Sequence, residues 1–156
     1  MPPDVRLRPL REDEFPAWDA AHRREYLHGL VEHAGLPAVD AEAKVERDLA
    51  AVLPDGLATA DVRIWAVEAG GATVGSVFLG LRDGGAWLYD ITIADAERGR
   101  GYGRAAMVAL EDEVRALGFD RVALNVWGGN AVARGLYRSL GYAEDSVHMS
   151  KPVSLS

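Results

Sequence analysis

The stretch WLYDITIADAERGRGYGRAAMVALEDEVRAL, Trp87 to Leu117, contains a strand, an acidic turn, a basic glycine loop and a helix in succession. Trp87 to Ile93 is bulky and β-branched and follows the turn signal Asp83-Gly84-Gly85, which predicts a strand. Met107, Leu110, Val114 and Leu117 recur at spacings of three and four, so one face of the following helix is apolar. Gly118 stands where a helix C-terminal glycine belongs. Between strand and helix lies Arg98-Gly99-Arg100-Gly101-Tyr102-Gly103-Arg104.

The first N–H groups of a helix have no intrahelical partners, and the helix dipole places partial positive charge there. Glycines allow a ligand to approach the backbone closely. Three arginines add full charges to that end. The combination predicts an anion site suited to phosphate. A solvated surface turn would not require strand, glycine spacing, arginines and helix to coincide.

Two patterns compete for this loop. Gly101 to Ala106 fits the loose dinucleotide motif GxGxxA, a weak signal by itself. That fold wants its loop after the first strand, within repeated parallel βαβ units. Here three predicted strands precede the loop, and hairpin turns join them. Arg98-x-x-Gly101-x-Gly103 instead resembles the acyl-CoA signature of the GNAT superfamily of N-acetyltransferases. The resemblance runs in order along nearly the whole chain and is most specific from Leu88 to Tyr142.

Working outward, Val5 to Arg8 alternates as a short strand that Pro9 ends. Asp13 is the predicted cap of a helix with Pro16 in its first turn. Phe15, Trp18, His22 and Tyr26 form one stripe on it, facing the core or, in part, an acceptor pocket. Asp40 is the predicted cap of a second helix carrying Val45, Leu49 and Val52. Val62–Glu68, Thr73–Leu81 and the Trp87 strand form an antiparallel meander, with Gly75 weakening the middle strand. Asp120 to Trp127 reads as a strand parallel to the Trp87 strand, because a helix separates them. Asn130 caps a last helix whose buried face is Val132, Leu136 and Leu140. Tyr142 to Lys151 reads as a final strand. The fold class is α/β of the α+β kind: a mixed, mostly antiparallel sheet with a splayed parallel pair and about four helices. The whole chain, 1–156, is expected to be one domain.

Composition narrows the function. The 156 residues carry a formal charge of −7 and no cysteine. Disulfides, thiolate metal sites and a cysteine nucleophile are thereby excluded. With a pI near 5.0, broad nucleic-acid binding is not expected, because it needs a basic surface. An acidic surface suits a cationic substrate such as an amine. No apolar run reaches membrane-span length and no signal-peptide core is present, so the cytoplasm is the expected location, without membrane attachment. His22, His28, His33 and His148 form no metal-ligand pattern and read as surface or core-edge histidines. No metal is expected. The oligomeric state stays open, a homodimer included.

The resemblance implies acetyl-CoA as co-substrate and an amine as acceptor. Its pyrophosphate would lie on Arg98, Gly99, Arg100, Gly101, Tyr102, Gly103 and Arg104. Its pantetheine arm would bond backbone groups near Ile91, Thr92 and Ile93, between the splayed strands. Asn130-Ala-Val-Ala-Arg-Gly-Leu-Tyr137 resembles the second family signature: Asn130 would contact the coenzyme and Tyr137 would protonate its sulfur. Asp90 is the candidate general base, with a structural hydrogen bond as its competing role. Glu25, Asn125 and Trp127 are acceptor-pocket candidates. The same fold also admits a non-catalytic acyl-CoA-binding or sensing domain.

Overall fold

The computed structural model describes residues 3–155. The elements in order are β1 (Arg6–Pro9), α1 (Phe15–Glu32), α2 (Ala38–Val52), β2 (Val62–Ala69), β3 (Ala72–Arg82), β4 (Gly85–Ile93), α3 (Tyr102–Ala116), β5 (Val122–Leu124) and α4 (Ala131–Ser139). The strands form one sheet in sequence order. The β4–β5 pair is parallel and the others are antiparallel. This is the expected mixed sheet with four helices. Among the described residues no helix is long and apolar enough to cross a membrane.

The period-two alternation of β2 and β3 divides the core. Trp65, Val67, Val77 and Leu79 meet Ala106, Met107, Leu110 and Val114 of α3 on one face. Val62, Ile64 and Phe78 meet Phe15 and Trp18 of α1 on the other. Leu30 joins Ala41, Val45 and Leu49 in a smaller cluster between α1 and α2. Met107 and Leu110 are fully buried, so truncating Leu110 to Ala should cost about 2–5 kcal/mol.

The strand β4 carries one extra residue. Phe78 pairs with Asp90 and Leu79 with Leu88, leaving Tyr89 without a partner in the ladder. Such a bulge bends the strand and shifts its alternation. Ala86 and Leu88 point into the α3 core, and after the bulge Ile91 does so too. Tyr89 turns to the α1 side, against Phe78. Close to this stretch, a Cβ on Gly75 would lie 2.1 Å from the Thr92 carbonyl oxygen. Gly75 is therefore what lets the end of β4 lie so near β3, besides weakening the strand it sits in.

Several expected details differ. No strand forms between Tyr142 and Lys151. Glu144 bonds Arg134 and Arg138, and Asp145 bonds Arg121, so ion pairs fasten the beginning of this segment. Val147 and Met149, whose alternation predicts the strand, stay exposed. The expected Asp120–Trp127 strand is reduced to Val122–Leu124. Val132 is 88% exposed, because the α4 stripe meets the core only from Tyr137 and Leu140 onward. Pro9 lies within β1 as its last residue. Pro37, not Asp40, is the N-cap of α2, and Asp40 sits in the first turn.

Glu14, not Asp13, occupies the N-cap of α1, and its side chain makes no cap bond. It is engaged elsewhere. Arg8 donates to Glu14 Oε1 at 2.9 Å and Oε2 at 3.0 Å, and also to Glu68 Oε2 at 2.9 Å. These bonds, with one from the Arg11 N–H, hold the Glu14 carboxyl down at about 2, from an ordinary 4.5. A depressed folded-state pKa stabilises above the unfolded value and loses that contribution as pH falls through the folded one. The melting temperature of the wild type should therefore drop between about pH 4.5 and 2 by more than that of Glu14→Gln, measured by thermal unfolding across that range.

Candidate active site at the splayed strands

The pairing of β5 with β4 covers only Ala86, Trp87 and Leu88. Beyond Leu88, β4 runs on to Ile93 with β3 on one side and no strand on the other. Ala94 N–H bonds Val74 C=O on the β3 side. Alternation back from Ala94 turns the main-chain groups of Ile93 and Ile91 to the open side. The Ile93 carbonyl there accepts from Arg98 Nε at 3.2 Å. An extended ligand with amides can pair with such an edge as an added strand would.

One end of this edge meets the glycine loop. Gly101 is the N-cap of α3, with φ +85°, and no side chain caps the helix. Gly99 has φ +79°. Ala105 N–H is the first to reach a helix carbonyl, that of Gly101. The N–H groups of Tyr102, Gly103 and Arg104 precede it at the positive end of the dipole. The arginines are less free than their number implies. Arg98 pairs with Asp95 and Arg100 with Glu97, both from a 3₁₀ turn at Asp95–Glu97. Arg104 instead donates to Ser139 Oγ at 2.6 Å, linking α3 to α4. Uncapped amides, a glycine cap and a cation fit an anion of phosphate type.

The other half of the site comes from α1, β4 and α4. Asn130 Oδ1 accepts from Ala133 N–H at 3.1 Å, so the expected cap forms, which leaves the amide nitrogen and one lone pair of Oδ1 for a ligand. After α4, the Tyr142 N–H bonds the Tyr137 carbonyl, and the two rings meet edge to face at 5.8 Å. Burial raises the Tyr137 pKa above the ordinary 10.0, and the nearby Asp90 charge adds to it. Burial first, then Glu111 and Tyr137, push Tyr142 up to about 12. The side chain of Asp90 accepts from Thr92 Oγ1 at 2.8 Å, and Glu25 Oε2 lies 3.1 Å from the same hydroxyl. Glu25 of α1 and Asp90 of β4 thus meet at the Thr92 hydroxyl, and Tyr137 of α4 stands near enough to feel the Asp90 charge.

Further along, Trp127 stacks on His33 with centroids 5.4 Å apart and lies against Gly29 of α1. Asn125 is exposed. His22, read as a core-edge histidine, stands 3.6 Å from Asp90 Oδ2. Its signal was its place on the α1 stripe one turn from Glu25; which strand that stripe faces is not written locally.

Comparison with known proteins decides the family. The acetyltransferase (GNAT) family model matches residues 7–142. The chain belongs to the GNAT family. A relative from Bacillus subtilis strain 168, the uncharacterized N-acetyltransferase YycN, is 27% identical over 152 residues, 94% of this chain and 97% of YycN. The crystal structure of YycN superposes with a TM-score of 0.91 at 26% identity, covering 97% of this chain and 99% of that one. A mycothiol acetyltransferase from Beutenbergia cavernae is 38% identical over 88 residues, 54% of this chain and 30% of its own length. This GNAT protein is thus an N-acetyltransferase by family, and the family uses acetyl-CoA as co-substrate.

Two neighbouring glycines separate backbone from space. A side chain on Gly101 needs a left-handed conformation, so Gly101→Ala should cost about 1–2 kcal/mol of stability. At Gly103 a Cβ meets only Leu136 at 3.7 Å and Ile93 at 3.9 Å, ordinary contacts, with no unusual φ. Gly103→Ala should fold and gain about 0.5–1 kcal/mol of helix propensity. Acetyl-CoA should raise the melting temperature of the wild type and of Gly103→Ala, and by clearly less that of Gly101→Ala, in a thermal-shift titration.

Proposed function

We propose that this chain, as one catalytic domain, transfers the acetyl group of acetyl-CoA to a primary amine by direct attack within a ternary complex. The observation that carries the reading is the unpaired β4 edge, with the glycine loop at one end and Asp90 and Tyr137 flanking its middle. In this reading the amides of Tyr102, Gly103 and Arg104 hold the pyrophosphate, and the edge at Ile91 and Ile93 pairs with the pantetheine amides. Arg98, Gly99 and Arg100 shape the loop, and the Asn130 amide faces the coenzyme from α4.

Bound acetyl-CoA supplies an activated thioester. The amine nitrogen forms a bond to the acetyl carbon, the C–S bond breaks, and an amide and the coenzyme thiol result. Asp90 takes the proton that the ammonium must lose before attack. Tyr137 gives one to the sulfur, and the second proton released from nitrogen as the amide forms makes that one good. A phenol's pKa near ~10 keeps the tyrosine protonated at pH 7, so it has a proton to offer the sulfur as the C–S bond breaks. Burial and the Asp90 charge hold the Tyr137 hydroxyl protonated still further into the alkaline range. A second reading, an acyl-CoA-binding domain without turnover, lacks a role for the carboxylate beside Tyr137. A panel of amines with thiol release as readout separates the two: no release with any amine, together with saturable acetyl-CoA binding, would favour the second.

Tyr137→Phe keeps the ring against Tyr142 and removes the proton. With a saturating amine its turnover should fall about 10²-fold, the scale of one acid–base group. Its acetyl-CoA affinity, measured by isothermal titration, should stay within a factor of about two, because the lost interaction belongs to the transition state. A wild-type rate in this variant would remove Tyr137 as the acid.

A further inference from the structure

We propose that His22 is a positioning residue for acetyl transfer: its Nδ1–H holds the Asp90 carboxylate so that the remaining oxygen faces the acceptor amine. The proposal rests on the acetyl-transfer reading above and adds to it a residue and a protonated atom.

The imidazole is fixed from two sides. Trp18 stacks on it at 4.9 Å with the planes 6° apart, and Phe78 meets it edge to face at 5.3 Å. Trp18 is itself tied down, its Nε1–H donating to Ser76 Oγ at 3.2 Å. The His22 side chain is only 11% exposed, and its Nδ1 is buried without a hydrogen-bond partner. A buried ring nitrogen without a partner is costly. The polar atom facing it is Asp90 Oδ2 at 3.6 Å. A bare lone pair on Nδ1 would face a carboxylate oxygen and repel it, whereas an Nδ1–H would be attracted. The geometry therefore selects a proton on Nδ1. The separation is longer than a formed N–H···O bond. Contacts of this kind tighten when substrate is held.

The same oxygen of Asp90 also accepts from Thr92 Oγ1. That hydroxyl has one proton and two carboxylates in reach, Asp90 and Glu25. When it turns to Glu25, His22 is the donor left to Asp90. In either state of that hydroxyl a donor stays on Oδ2, which leaves Oδ1 as the acceptor for the ammonium proton. Among the described residues, the titratable groups that meet this pair are Glu25 from α1, through Thr92, and Tyr137 from α4, while β3 offers Phe78 and Ser76.

Two measurements test this on the full chain. In ¹⁵N NMR the neutral His22 ring should carry its proton on Nδ1, and Asp90→Leu should move it to Nε2, the form free histidine prefers. A proton on Nε2 in the wild type, or a tautomer unchanged by Asp90→Leu, would overturn the contact. In the second, an Asn side chain at position 22 places an amide N–H near where Nδ1 stands, and a Gln side chain places it near Nε2. His22→Gln and His22→Phe should lose about 10–10²-fold in kcat through misplacement of Asp90, while His22→Asn recovers most of it. Thermal shifts with acetyl-CoA should be equal in all three. Equal rates for the Asn, Gln and Phe variants would show that the nitrogen position is immaterial and end the proposal. If the wild type releases no thiol with any amine, the acetyl-transfer reading fails and the catalytic role of His22 with it; the NMR result still decides whether the pair exists.

Discussion

The bulge at Tyr89 governs the site more than any single polar contact. One residue too many on β4 opposite Phe78 reverses the alternation of the strand. Leu88 and Ile91 then share the α3 core, and Asp90 is released from that core to stand beside His22. Tyr89 absorbs the disturbance: its ring packs on Phe78 at 4.8 Å and its hydroxyl accepts from Arg82. Without the extra residue, Asp90 would follow Leu88 into an apolar layer, where an unpaired carboxylate is too costly to keep. The strand with the unpaired edge therefore also presents a carboxylate on the face away from the α3 core.

What could be read along the chain was what is encoded locally. The apolar stripe of α3, the strand before it and the glycine loop are each specified within a dozen residues, and Asn130 caps its helix through a bond three residues away. Asp90 in the right strand was legible; the face it occupies was not, because alternation counted from Leu88 gives the wrong side. The role of His22 was hidden for the same kind of reason. It depends on α1 crossing β3 at Phe78 and β4 at Asp90, strands far from it in sequence. The failures at Val132 and at the Tyr142–Lys151 segment have a different source. Their apolar patterns are real, but a pattern only offers a face, and no neighbouring layer covers these two.

The anion site is also less charged than its composition implies. Asp95 and Glu97 precede the loop and engage Arg98 and Arg100. These are exposed pairs, worth little in stability, but they orient the guanidinium groups around the glycines before any ligand arrives. In the proposed reading the main-chain amides, whose direction is set by the helix, then carry most of the recognition at this end.

The helix α4 has no buried residue. It rests on Tyr137 and Leu140 at the core edge, on the Arg104–Ser139 bond and on two surface pairs to Glu144. Free energies of local opening follow the apolar area an element buries, and elements with little of it open far below the global unfolding cost. The residue read as the proton donor thus sits on a helix held by few apolar contacts. Were the coenzyme threaded between β4 and α4 as proposed, it would not have to slide out along its own length: a brief lifting of this one helix would open the slot sideways, and the lifetime of the product would follow how often that happens.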